Sequence, residues 1–280
     1  MALDLRPSPI AGLWYEGDRK VLARAVDMYL DNAQIPDLNG KVVGVVGPHA
    51  GHRYSGPVAG YSFAAVRGSK PDLVAILSPF HNYHSAGLLT TAHEAYSTPL
   101  GSVPVDREAV AELERGLQAE ARLDLTRISN DPEHSLEIML PFLQRALASK
   151  WQLLPLMVRA QDVETCRQLG LQLARTVATR NVLLVASTDL SHYHDQQTAL
   201  SLDRTMLSAV ESFDPESLFD LERSGRGYAC GLGALAAVMW AARGLGADKV
   251  EILRHATSGD VTGDYTAVVG YGAAAILKTQ

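Results

Sequence analysis

Six short segments do most to limit the fold, because they are apolar on successive residues rather than on alternate ones. They are KVVGVVG (41–47), DLVAILS (72–78), WQLLPLMV (151–158), NVLLVAS (181–187), VEILRHA (250–256) and TAVVGYGAAAIL (266–277). A strand with one wetted face alternates polar and apolar side chains. A strand covered on both faces does not need to. The chain must therefore supply something to cover both faces.

The intervening sequence supplies helices. DRKVLARAVDMYLDNA (18–33) opens on Asp18, an N-cap residue type, and carries an apolar stripe at helical spacing. DREAVAELERGLQAEA (106–121) begins the same way at Asp106. DPEHSLEIMLPFLQRALASK (131–150) starts with Asp-Pro, a cap followed by proline at the first helical position. Segments 162–178 and 197–212 read as further helices, and CGLGALAAVMWAARGLG (230–246) is apolar enough to be a buried one. LLTTAHEAYSTPLGSVPVD (88–106) reads as a β-hairpin turning at Pro99-Leu100-Gly101. The alternation predicts one three-layer α/β/α domain over residues 1–280, with a mixed, mainly parallel central sheet. At 280 residues and 47% hydrophobic content the chain can bury such a core.

Charge narrows the function. The 25 Lys and Arg are scattered among 31 Asp and Glu with no basic run, which argues against a nucleic-acid surface. No apolar stretch reaches the roughly 18 residues that span a membrane. The start, MALDLRPSPI, is neither basic nor followed by an apolar signal core, so a cytoplasmic location is expected. The two cysteines, Cys166 and Cys230, are too few for a disulfide framework.

In open α/β sheets ligands bind beyond the carboxyl ends of the strands. The strand at 41–47 is followed by Pro48-His49, the strand at 72–78 by Pro79-Phe80-His81, and the strand at 181–187 by Thr188-Asp189-Leu190-Ser191-His192. Three strands thus deliver imidazole to one edge, and one of them adds a carboxylate. Neutral imidazole is the commonest metal ligand. Cys230, in GYACGLGAL, precedes an apolar helix, whose N-terminus should favour the thiolate that binds metal. Cys166 lies mid-helix and is expected to pack. His134, in DPEHSLE, falls in the first turn of its predicted helix, where it either caps or faces the cleft. Asp189 and His192, three apart, would share a face in a helical turn, one orienting the other. His52, His84, His93, His194 and His255 are expected to be hydrogen-bonded or solvated.

GVVGPHAGHRYSGPVAGYSF, ILSPFHNYHSAG, DPEHSLEIMLPFLQ, ASTDLSHYH and CGLGAL, with AGLWYEGDRKVL near the start, together resemble the Memo family, whose prokaryotic members are called AmmeMemoRadiSam system protein B. The resemblance runs from about residue 11 to the C-terminus. It implies a fold similar to the class III extradiol dioxygenases, which use non-haem Fe(II). It places metal-type ligands on His49, His81 and Cys230, pocket residues on Asp189 and His192, and rim aromatics on Trp14 and Tyr15. His52 stands where many relatives carry Tyr. A dioxygenase triad is two His and one carboxylate, so a cysteine in third place shifts preference toward Zn or Cu(I) as well as Fe(II), and ring cleavage is not carried over.

Two functions from different classes are open to such a chain. The first is a metal-dependent enzyme, with one metal ion, Fe(II) preferred and Cu or Zn as alternatives. Asp189, His192 and His134 would act as catalytic groups on an unknown small molecule, by redox chemistry or, with Zn, by hydrolysis. The second is a non-enzymatic module binding a peptide or partner. The resemblance implies AMMECR1-like and radical SAM proteins as those partners.

Overall fold

Five of the six segments that are apolar on successive residues form the heart of a nine-stranded mixed sheet; the sixth, 250–256, lies in an edge strand and is mostly half-buried rather than covered on both faces. The structure is a computed structural model and describes residues 3–279. In chain order its elements are β1 (Leu5–Arg6), α1 (Arg19–Asn32), β2 (Lys41–Gly47), α2 (His52–Ala64), β3 (Leu73–Pro79), β4 (Leu88–Thr91), β5 (Ala95–Thr98), β6 (Gly101–Pro104), α3 (Arg107–Gly116), β7 (Thr126–Ile128), α4 (Leu140–Ala146) and β8 (Gln152–Val158). Next along the chain are α5 (Val163–Val177), β9 (Val182–Ser187), β10 (His192–His194), α6 (Gln196–Glu211), α7 (Pro215–Arg223), α8 (Leu232–Gly244), β11 (Lys249–Thr257), α9 (Gly259–Thr262) and β12 (Val268–Lys278).

The main sheet runs β10-β12-β2-β9-β3-β8-β4-β7, with β11 paired to the outer side of β12. Its centre, β2-β9-β3-β8, is parallel, and antiparallel pairings flank it on both sides. Helices α1, α2 and α4 pack on one face. Helices α3, α5 and α8 pack on the other, with α7 against α8 and α6 against α7, β11 and β12. This is the expected three-layer class, consistent with the class III extradiol dioxygenase-like architecture. Every residue of β3 is buried, as two covered faces require. No helix is long and apolar enough to cross a membrane among the described residues.

Several local expectations shift. The hairpin is β5–β6, turning at Pro99-Leu100 as expected. Strand β4 instead leaves it to pair with β8 and β7, and β1 joins β5 to make a separate three-stranded sheet. The helix expected over 131–150 is corrected: residues 131–136 are irregular, 137–139 form one 3₁₀ turn, and the α-helix is only α4. Asp131 is not a cap but is drawn to the buried Arg6, and Pro141, with no N–H to give, sits at the start of α4. Helix α2 has no predicted counterpart, since Gly56, Pro57 and Gly60 disguise it. The glycines are needed because Tyr29 of α1 lies against them: a Cβ on Gly60 would come within 2.4 Å of the Tyr29 carbonyl oxygen.

Strand register brings the candidate residues level. Gly47 of β2 pairs with Ser187 of β9, and Leu77 of β3 pairs with Ala186. Three parallel strands therefore end together, and the residues just beyond them share one edge of the sheet.

Candidate metal centre

Beyond that edge His49, His81 and His134 each offer a ligand atom, and the three atoms lie within 4.8 Å of one another. The ring centroids of His49 stand 5.3 Å from His81 and 5.5 Å from His134, while His81 and His134 stack at 4.8 Å. His49 is buried, His134 half-buried and His81 faces solvent, so the cluster opens outward.

Hydrogen bonds fix which nitrogen of two rings faces inward. Ser187 Oγ donates its one hydrogen to the Ser135 carbonyl (2.6 Å), so toward the His49 ring it can only accept, from Nδ1–H at 2.9 Å. Nε2 of His49 is left unprotonated, as an acceptor. His81 Nδ1–H donates to Glu133 Oε1 (2.9 Å), which likewise frees Nε2. The Glu133 carboxylate also accepts the backbone N–H groups of His81 (2.6 Å), His134 and Ser135 (3.0 Å each). Burial opposes its charge, but these bonds and the His81 imidazole more than offset that and hold the carboxyl well below its usual range. Burial, reinforced by neighbouring imidazoles, lowers His49 well below the usual histidine value. Burial likewise lowers His134, to about 4, against the pull of Glu133. Both rings are therefore neutral near pH 7, the form that ligates metal. His81 moves the other way: burial would lower it, but Glu133 raises it.

Each sequence-derived candidate has a definite place. His49 and His81 meet as expected. His134 is not in a first helical turn; it lies in the irregular segment 131–136 and supplies the third imidazole. Cys230 is adjacent but outside that trio, its Sγ 3.1 Å from Nε2 of His49. The expected thiolate is corrected. Burial and the nearby Asp189 push the thiol well above its ordinary value, and donation to Sγ by the Asp189 N–H (3.2 Å) does not offset them. Gly231 is the N-cap residue of α8, and Cys230 immediately precedes it.

Asp189 is buried and accepts from the His49 N–H (2.7 Å), with its other oxygen 4.0 Å from His49 Nε2. Burial raises its carboxyl to about 7, against hydrogen bonds from the His49 and Ala50 N–H groups. The expected helical pairing of Asp189 with His192 is also corrected. Residues 189–191 are irregular and β10 pairs with β12, so His192 Nδ1–H donates to the Leu190 carbonyl instead (2.8 Å). Trp14 is at the rim, its ring 4.1 Å from that of His134. Tyr15 is buried, its hydroxyl donating to Glu137 (2.7 Å), so it is not a rim residue. Cys166 packs within α5, and His93 and His255 are held by Asp4 and Asp203.

Sequence reasoning missed Ser187 and Glu133. A serine closing an apolar strand carries no visible signal, and Glu133 was masked by the cap motif around it.

The class defined by this fold and site is an α/β/α protein with a cluster of imidazoles at a parallel-strand edge that could hold a metal ion. The chain belongs to the Memo family: the family model, described as Memo-like protein, matches residues 6–275. It is 36% identical to a MEMO1 family protein of Nitrosopumilus maritimus strain SCM1 over 96% of this chain and 98% of that one. It is 37% identical to a MEMO1 family protein of Thermotoga neapolitana over 95% and 98%. Among solved structures it is similar in fold to an uncharacterized protein, JW3007, from Escherichia coli K12, with a TM-score of 0.50 at 14% identity over 83% of this chain and 99% of that chain.

Proposed function

We propose that this protein is a metal-dependent enzyme that binds one ion among His49, His81 and His134, with Cys230 as an adjoining soft donor. The observation that carries this reading is the paired commitment of outer nitrogens. Ser187 and Glu133 each take the Nδ1–H of one ring, which leaves Nε2 of that ring as its available ligand atom, and one ring nitrogen of each of His49, His81 and His134 lies within 4.8 Å of the others. Hydrogen-bonded orienting partners of this kind are the usual companions of metal-ligating histidines.

Imidazoles with a nearby thiol suit iron, copper or zinc. Redox chemistry with Fe(II) or Cu on a small substrate is the preferred form, because the thiol adds a soft donor beside His49. Such an ion would supply one-electron redox and Lewis-acid chemistry beside these residues. Asp189, with its carboxyl near 7, would hold or release a proton beside His49 Nε2. His192, at the half-buried flank, would contact substrate. Zinc-assisted hydrolysis is the second reading, since three imidazoles are also a donor set of catalytic zinc.

Metal analysis of protein purified without added metal tests the proposal, comparing native protein with His49→Ala and Cys230→Ser variants. Stoichiometric iron or copper, lost in His49→Ala, supports the redox reading, and zinc alone supports hydrolysis. No bound metal even after anaerobic reconstitution would overturn both, in favour of peptide or partner binding, the AMMECR1-like and radical SAM proteins being the partners to try.

A further inference from the structure

Arg6 lies in the two-residue strand β1, distant in sequence from every candidate ligand, yet it is only 1% exposed. Its guanidinium sits over the Tyr96 ring, 4.8 Å from the centroid. All of its side-chain hydrogen bonds among the described residues go to one segment. Nε and Nη2 fork onto the Asp131 carboxylate (2.9 and 2.7 Å), Nη2 also reaches the carbonyls of Asp131 (3.1 Å) and Glu133 (2.6 Å), and Nη1 donates to Glu137 (2.6 Å). Glu137 in turn accepts from the hydroxyls of Ser8 and Tyr15. One cation thus spans both ends of residues 131–137 and grips the backbone in between.

That segment is where the centre is organised. Glu133 orients His81, the Ser135 carbonyl fixes Ser187 and through it His49, and His134 is the third imidazole. Residues 131–136 have no helix or strand of their own to hold them. A planar fork that bonds two carboxylates and two carbonyls is a function lysine cannot reproduce.

We propose that Arg6 is a positioning residue for the metal centre: by clamping 131–137 it sets the positions of all three imidazoles. The inference rests on the metal-binding reading, and it concerns what holds the ligands rather than which ion they take.

The test is Arg6→Lys in the full chain, read two ways. Co²⁺ titration followed by visible absorption reports affinity and ligand geometry. Histidine side-chain ¹H–¹⁵N spectra of the metal-free protein report the His81 tautomer. The expected result is a folded variant by circular dichroism, with Co²⁺ affinity weakened at least about tenfold, altered cobalt bands, and a His81 signal averaged between tautomers. Val177→Ala removes buried volume in α5 at the opposite edge of the sheet and serves as the destabilised control. It should lower Tm while leaving the cobalt bands and the His81 signal unchanged. Wild-type cobalt bands, affinity and His81 signal in Arg6→Lys would overturn the proposal, as would equal changes in Val177→Ala. Should Arg6→Lys not fold, Asp131→Asn, which loosens the same clamp from the other side, is expected to shift both readouts in the same direction, and wild-type values there overturn it. If the wild-type protein takes up no cobalt, the metal reading falls, and the metal-free His81 signal still decides whether Arg6 positions the segment.

Discussion

Cys230 Sγ stands 3.1 Å from His49 Nε2, with the thiol pushed up by burial and the imidazole held neutral. Because Ser187 claims the Nδ1–H, Nε2 is the acceptor and the thiol is the donor. The nitrogen best placed to ligate a metal therefore accepts a hydrogen bond from the thiol in the metal-free protein. Recruiting Cys230 to the ion requires the thiol proton to leave, since only the thiolate ligates. Calorimetry of Zn²⁺ binding in buffers of different ionisation enthalpy should show about one proton more released by the wild type than by Cys230→Ser near pH 7. Equal release would place the thiol outside the coordination sphere.

Ser187 acts only through its hydrogen bonds, one accepted from His49 and one donated to Ser135. Ser187→Ala should weaken Zn²⁺ binding about 10- to 100-fold. It should cost roughly 1–3 kcal/mol of stability, because buried polar groups lose their partners. Both are measurable, by competition with a chelating dye and by urea unfolding. A stability loss with unchanged metal affinity would mean that the tautomer of His49 is set by something other than Ser187.

Gly231 brings the start of α8 against the end of β9. A Cβ there would lie 2.3 Å from the Ser187 carbonyl oxygen and 2.9 Å from Thr188 Cβ. Gly231→Ala must therefore push the helix start away, carrying Cys230 with it. The expected cost is about 1–3 kcal/mol in chemical denaturation, typical of a forced overpacking, together with loss of the extra proton released on Zn²⁺ binding. A variant of native stability would show that the two backbones have room to part.

His52 gives a pH signature outside the centre. It is buried, donates from Nε2 to the Ile138 carbonyl (3.1 Å), and among the described residues has no partner for Nδ1. Burial lowers it to about 4, against the Ile138 hydrogen bond. A base with a depressed folded value binds its proton more readily when unfolded. Stability is therefore lost as pH falls from about 6.5, the unfolded value, to about 4, and no further loss from this group occurs below that. Relative to His52→Phe, the wild type should lose up to about 3 kcal/mol across that window. Urea unfolding at stepped pH would show it. A constant difference between the two proteins would mean that His52 is not held neutral.

Much of this arrangement was legible in the chain. Continuous apolar runs such as KVVGVVG and NVLLVAS announced strands covered on both faces, and the strand-end rule then put His49, His81 and Asp189 on one edge. The parallel register of β2, β9 and β3 supplies the physical reason. Residues 131–150 misled because Asp131-Pro132 has the form of a helix start. The local cap was overridden by Arg6, more than a hundred residues away, and no periodicity encodes a bond of that reach. Glu133 was hidden for the same reason, its role set by what its carboxylate meets in space. The thiol of Cys230 was misjudged because a helix N-terminus is a weaker influence than burial beside a carboxyl.

Whether His49, His81 and His134 converge on one ion can be seen in crystals of the protein grown with Co²⁺ and measured at the cobalt absorption edge. A single anomalous peak is expected at about 2.0–2.2 Å from a ring nitrogen of each of the three histidines. A peak that omits any of the three, or cobalt bound only at surface carboxylates, would contradict that convergence.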